Sequence, residues 1–365
     1  MCRSFDHAVC THRVRMSERQ AYGGAVMKKI VGILTGLAML LMSVMLTGCG
    51  GDSGGQKAAG NVTLKAGFGS SIDNSSGGQG LKKFKELVEK ESGGRITVEL
   101  FGDGQLGNDK SMMEALQMGT LDITLPSSSP VSEFSKSFLA FDLPFLFTAP
   151  EQADKVLDGP NGQEILKSLE TVNIVGLCYF ENGFRNITNS KHPVTKVEDL
   201  AGLKLRTMQN PIHLETFKTW NANPQPMAFN EVFTALEQKT LDGQENPNTI
   251  IYDAGFYETQ KYMTISHHFY TPYVLMISKK TWDKLSPEDQ KLIQKCANEA
   301  KTYQRETNRR LDTEYLGKIK EHGVTVDTLS PEEIAKMKEE AKPIYDKFSG
   351  DIGKDRLDSI MKEAQ

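Results

Sequence analysis

The chain has 365 residues, 38% hydrophobic and 25% charged, a balance that sustains ordinary globular cores and is long enough for two lobes. A net charge of -4 and a pI near 6.0 exclude the extended positive surface that neutralising phosphates requires, so no nucleic-acid partner is expected.

The first signal along the chain is an address. Met27-Lys28-Lys29 precedes an apolar run over residues 30–46, the layout of a signal peptide. At about 17 residues, and broken by Gly32 and Gly36, the run lies at the lower limit for a membrane-spanning helix. It ends in Leu46-Thr47-Gly48-Cys49, which resembles a lipobox, with the Cys49 sulfur as the point of lipid attachment. Gly50-Gly51-Asp52-Ser53-Gly54-Gly55 follows, a composition that makes a flexible tether and buries no core. The expected organisation is therefore a misassigned extension over 1–26 ahead of a true start at Met27, a lipoprotein signal peptide over 27–48, and a lipidated cysteine with its tether over 49–60. The folded part faces outward, in the periplasm or at the outer face of the cell membrane. Cys2, His7, Cys10 and His12 in the leading segment fit no zinc spacing, and no metal is expected.

From residue 61 onward strand-like runs alternate with amphipathic helices, the pattern of an α/β architecture with crossover helices. Residues 62–68 read as the first strand. Residues 81–90 read as a helix with Leu81, Phe84, Leu87 and Val88 on one face. Ile96–Phe101 is the second strand. Gly102-Asp103-Gly104-Gln105-Leu106-Gly107 then matches G-x-G-x-x-G, with Asp122 about 20 positions on, the spacing of a dinucleotide fingerprint. It is rejected on three grounds. The strand before it alternates instead of being buried on both faces. The motif opens the second turn and not the first. Asp103, Asn108 and Asp109 would repel or crowd a pyrophosphate. A structural turn capped by Asn108 is expected instead.

Further on, a strand over 121–125 leads into Pro126-Ser127-Ser128-Ser129-Pro130, whose hydroxyls are placed to meet a polar ligand or to form a solvated turn. Residues 174–179 read as a buried strand carrying Cys178. With Cys296 it gives two buried free thiols, or in the alternative a single bridge. Thr195 with Glu198 has capping-box spacing. Ser286-Pro287-Glu288-Asp289 and Ser330-Pro331-Glu332-Glu333 put serine at the cap, proline at the first helical position and carboxylates in the first turn. The helical pattern from Ser286 runs to Lys320, interrupted only by Gly317, and spans about 50 Å at 1.5 Å per residue.

No catalytic constellation assembles. There is no G-x-S-x-G elbow, no H-E-x-x-H and no cysteine-rich metal site. His267 and His268 are adjacent, so in extended backbone one is exposed and the other packed. Arg206 is different. In Leu203-Lys204-Leu205-Arg206-Thr207-Met208 the alternation sends Leu203 and Leu205 to the core and Arg206 to the opposite face, near the carboxyl end of the strand, where open α/β sheets bind ligands. Its planar fork matches a carboxylate with two charge-assisted bonds.

Arg185 stands in Gly183-Phe184-Arg185-Asn186-Ile187-Thr188-Asn189, and Asp242-Gly243-Gln244-Glu245-Asn246-Pro247 follows the arginine strand. With Asp199-Leu200-Ala201-Gly202 before that strand and Pro226-Met227-Ala228-Phe229-Asn230-Glu231 after it, the chain resembles the substrate-binding subunits of tripartite ATP-independent periplasmic (TRAP) transporters, of the DctP type. Gln105-Leu106-Gly107, Gln117-Met118-Gly119-Thr120-Leu121-Asp122 and Leu143-Pro144-Phe145 add to the likeness. The resemblance implies a two-lobed periplasmic-binding-protein-like fold of type II bridged by the long helix. Lobe I is expected over 61–182 with part of 272–310, and lobe II over 183–271 with part of 311–365. It implies that Arg206 clamps a substrate carboxylate, that Arg185 and Asn246 lie beside it, and that Phe229 packs on the ligand body. Ser127 and Ser128 in the other lobe and Gln209 past the arginine strand are further candidate contacts. Where Ser127 falls, sialic-acid-type members carry an acidic residue, so this chain departs from that subset. The implied function is capture of a small organic acid, such as a sugar acid, a C4-dicarboxylate or a hydroxy or keto acid, and its delivery to an ion-driven membrane permease, by a monomer without cofactors. The alternatives are a binding subunit for an ATP-driven importer or a sensor, and an extracellular hydrolase or lyase drawing on Glu231, Asp242 or Glu245.

Overall fold

The computed structural model describes residues 61–365. The expected signal segment, Cys49 and the glycine-rich stretch behind it lie outside the described residues. The strands are β1 (Val62–Gly67), β2 (Ile96–Phe101), β3 (Ile123–Thr124), β4 (Ile174–Phe184) and β5 (Asn186–Asn189). They continue as β6 (Lys204–Thr207), β7 (Asn223–Pro226), β8 (Gly243–Asn246), β9 (Tyr262–Ile265), β10 (Tyr270–Ser278) and β11 (Thr325–Thr328). Two sheets result, ordered β2-β1-β3-β10-β4 and β11-β9-β5-β8-β6-β7. The parallel pairs β1–β2 and β6–β7 are joined by the crossover helices Ser76–Glu91 and Pro211–Thr219, as their alternation with apolar runs predicts.

The chain passes from the first sheet to the second between β4 and β5 and returns between β9 and β10. The two crossing strands stay paired where they change sheets. Tyr270 lies opposite Phe184 in the β4–β10 ladder, and the Arg185 N–H donates to the Phe269 carbonyl at 2.9 Å. A third connection is the helix Pro287–Glu321, which packs on Ser76–Glu91 and β4 at one end and on the helix Asn248–Asp253 of the second lobe at the other. It is capped by the Ser286 hydroxyl, which accepts from the Asp289 N–H at 3.1 Å, and it runs through Gly317 without a break. The helix Pro331–Ile352 touches elements of both lobes, and Lys354–Glu363 returns to the first, where Arg356 reaches Glu164 at 2.6 Å.

Two local expectations are corrected, and a third is met. The helix predicted from residue 81 begins at Ser76, capped by the Ser75 hydroxyl on Gly78 N–H at 3.0 Å. Glycines at 77, 78 and 80 are poor helix formers, yet a Cβ at Gly80 would come within 2.6 Å of Gln304 and 2.7 Å of Phe180. The close approach to the long helix needs the missing side chain. The capping box expected of Thr195 and Glu198 is made instead by Asp199, whose carboxylate accepts from the Thr195 and Lys196 N–H groups at 2.9 and 3.2 Å. It supports only a single 3-10 turn, Val197–Leu200. The rejected nucleotide motif is a turn after β2, which is an edge strand, and Asn108 caps the next helix by accepting from Ser111 N–H at 2.9 Å.

Cys178 on β4 and Cys296 on the long helix are both buried free thiols. The Cys178 Sγ–H points to the Ala297 carbonyl at 3.4 Å. Burial pushes the Cys178 thiol up to about 12 and the Cys296 thiol up to about 11.

Candidate functional site

The carboxyl ends of strands from both sheets meet at one cavity of about 560 Å³, its mouth included. β1 delivers Phe68 and Ser70, the turn after β2 delivers Asn108 and Asp109, and the segment after β3 delivers Leu125 and Ser127. From the other lobe come Arg206, Met208 and Gln209 after β6, Phe229 after β7 and Asn246 at the end of β8. The crossing strands supply Asn182, Arg185 and Tyr273. The geometry follows the rule that α/β sheets bind at their carboxyl edges.

Arg206 is 3% exposed. Its Nε and Nη2 both donate to the Met227 carbonyl, at 3.0 and 2.8 Å, while the buried Nη1 has no partner among the described residues. One edge of the fork is thus fixed by backbone, and the other carries the unpartnered Nη1. Burial, with the like charge of Arg185 second, pushes the Arg206 pKa down to about 10, so the side chain is cationic at neutral pH.

Arg185 is fully buried and already paired. Its Nε meets the Glu245 carboxylate, its Nη2 donates to Glu245 Oε1 at 2.9 Å and Asn246 Oδ1 at 3.0 Å, and its Nη1 reaches Thr271 Oγ1 at 3.4 Å. Glu245 also faces His268 Nε2 at 3.3 Å and His213 Nδ1 at 3.8 Å. Burial alone would raise the Glu245 carboxyl, but the charge of Arg185 and the hydrogen bonds from Arg185 and His268 hold it well below the usual carboxylate range. The charge network goes on through His213 Nε2 to Asp142 at 3.0 Å, and Asp142 accepts from Asn210 Nδ2 at 2.8 Å.

The predicted residues are thus gathered with one exception. Arg206, Arg185, Asn246, Phe229, Gln209 and Ser127 all line the cavity. Ser128 does not; it is wholly buried at the start of a one-turn helix, Ser128–Val131. Phe229 sits at the first position of the helix Phe229–Glu237 and packs edge-on against Phe256 at 6.0 Å. His267 is exposed and His268 buried, the division expected, but the cause is a turn and not extended backbone: the pair lies between β9 and β10, and His267 has a φ of 46°. Sequence reasoning missed Asp109 and Asn182, and the buried partners Asp142, Asn210 and His213. For Asp109 a signal was present: a helix opening at the carboxyl end of a parallel strand faces the cleft whatever its motif binds.

Two α/β lobes joined by crossing strands and a bridging helix, with a cavity between them that holds a half-engaged buried arginine, define a two-lobed solute-binding protein. Residues 70–351 match the family described as bacterial extracellular solute-binding protein, family 7 (DctP), and the chain belongs to that family. It is 39% identical over 247 residues to the 2,3-diketo-L-gulonate-binding periplasmic protein YiaO of Escherichia coli, covering 68% of this chain and 75% of that one. Among solved structures, the sugar acid binding protein DctPAm of Advenella mimigardefordensis in complex with galactonate superposes with a TM-score of 0.82 at 42% identity, over 84% of this chain and 98% of that one. A TRAP periplasmic solute-binding protein of Polaromonas bound to D-erythronate gives 0.79 at 38% identity, over 82% and 98%. The chain is accordingly a TRAP-type substrate-binding subunit, which takes up a small organic acid outside the cytoplasm and passes it to a membrane permease.

Proposed function

We propose that the organic acid is held by its carboxylate on the free edge of Arg206. The observation that carries this is the Nη1 of a buried cation, unpartnered among the described residues, on a side chain that lines the cavity. A buried N–H without a partner is costly, and so is a buried carboxylate, so each satisfies the other only when the lobes close on the right solute. Arg185 acts beside it mainly by position: neutralised by Glu245, it fixes Asn246 Oδ1. Asn246 Nδ2 spends one N–H on Gln244 and keeps a second for the solute. Phe229 offers an apolar face, and Ser127 and Gln209 offer polar contacts. The ligands of the relatives, 2,3-diketo-L-gulonate, galactonate and D-erythronate, all present the group this fork fits.

The chain works as a binding protein and not as an enzyme. Of the acidic residues that a hydrolase or lyase would draw on, Glu245 is locked in its ion pair, Asp242 accepts the Lys204 N–H at 2.9 Å, and Glu231 lies in the first turn of a helix. The mature protein is held at the outer face of the membrane as a monomer by lipid on Cys49. No helix among the described residues is long and apolar enough to cross a membrane. Isothermal titration of the purified protein with a panel of organic acids tests the capture. Heat of binding that persists undiminished in Arg206→Ala removes the clamp.

A further inference from the structure

We infer that the cleft takes a single carboxylate on a hydroxylated carbon chain, a solute of the sugar-acid kind, and that Asp109 in the lobe facing Arg206 accepts its hydroxyls and turns away a second carboxylate. This rests on the carboxylate-capture reading and narrows it.

The first ground is charge. Among the residues lining the cavity, Arg185 and Arg206 are the cations and Asp109 is the anion. Glu245 already matches Arg185, so one cation is available for one anionic group. A second carboxylate would enter a desolvated space with no counter-ion and would meet Asp109, and like charges in a shared low-dielectric site repel strongly. Burial pushes the Asp109 carboxyl up to about 6, against the pull of Arg206 and the Ser127 backbone N–H, so Asp109 is ionised at neutral pH.

The second ground is the sense of the unmet hydrogen bonds. Asn182 and Ser127 line the cavity, and among the described residues the buried Asn182 Oδ1 has no donor and the buried Ser127 hydroxyl no partner. With Asp109 this makes two acceptors and a hydroxyl on side chains that line one cavity. Acceptors need donors from the solute. Hydroxyl groups supply them; the methylenes and second carboxylate of a simple dicarboxylate do not.

Three probes separate the terms at pH 7.5: gluconate with one carboxylate and several hydroxyls, hexanoate with one carboxylate and none, and succinate with two carboxylates and none. The purified protein is expected to bind gluconate most tightly and succinate least. Asp109→Asn removes the charge while keeping an acceptor for Ser127. It should weaken gluconate roughly ten- to hundredfold, the scale for losing a charged hydrogen-bond partner, and strengthen succinate. Succinate bound by the wild type as tightly as gluconate overturns the inference. So does an Asp109→Asn variant that changes both affinities in the same direction, which would mark Asp109 as a mere counter-charge to Arg206. Arg206→Ala is the separate control. If it spares gluconate, the clamp fails whatever Asp109 does, and if the wild type binds none of the three acids, both readings fall.

Discussion

A single side chain, Arg206, illustrates how much of recognition is fixed before any solute arrives. Two of its donors are held by one backbone carbonyl, so the remaining edge has a set direction and little rotamer entropy left to lose. Arg206→Ala should weaken carboxylate binding by about 2–5 kcal/mol, the range for deleting one partner of a buried charged pair. Arg206→Lys should also bind poorly, because an ammonium cannot hold the Met227 carbonyl and the solute in one plane; calorimetry of both variants checks this. His268 makes the fold sensitive to acid. Burial pushes its pKa down to about 4 from 6.5, ahead of the opposing pull of Glu245. Between those values the unfolded chain takes up a proton that the folded one refuses, so stability falls as pH drops from 6.5 to 4. In His268→Gln the melting temperature should fall less steeply across that window, and an unchanged slope would assign the acid sensitivity elsewhere. Arg206 was legible because strand alternation sets it opposite Leu205 and the segments around it resemble a family in which that arginine clamps a carboxylate. Asp142, Asn210 and His213 were not, because nothing in sequence joins isolated polar residues that meet only across the two lobes.

Among the elements, the long helix Pro287–Glu321 carries a weakness that its packing does not require. Gly317 is exposed, and a Cβ there would meet nothing within 4 Å. Gly317→Ala should therefore stabilise the protein by about 0.5–1 kcal/mol, the helix-interior difference between the two residues, read as a rise in melting temperature with unchanged solute affinity. Gly80 is the opposite case, since any side chain there strikes Gln304 and Phe180. Both are glycines in helices, and sequence alone cannot tell them apart. This is why the long helix was legible from its Ser-Pro-Glu start while the first turn of Ser76–Glu91 was hidden. Strands with apolar alternation or runs, such as Ile96–Phe101 and the start of β4, were legible to within a residue or so. The Thr195 segment shows the limit: two carboxylates one position apart, Glu198 and Asp199, both fit a cap, and only the backbone path selects Asp199.

For the whole molecule, the tether and the cleft make separate predictions. Cys49→Ser should shift the protein from the membrane fraction to the soluble extract without changing its affinity for solute, and retention on the membrane would overturn lipid attachment at that residue. The two free thiols offer a different handle. Cys178 on β4 and Cys296 on the helix that braces both lobes are both buried, and each is far too weak an acid to react while covered. A maleimide should therefore modify them only when that helix lifts, which makes the two sulfurs a clock for global opening. Cargo that favours the closed form slows the clock in proportion to occupancy. Timed alkylation of a crude envelope extract, with and without an added metabolite mixture, would thus reveal that a cargo is present before anyone knows what it is.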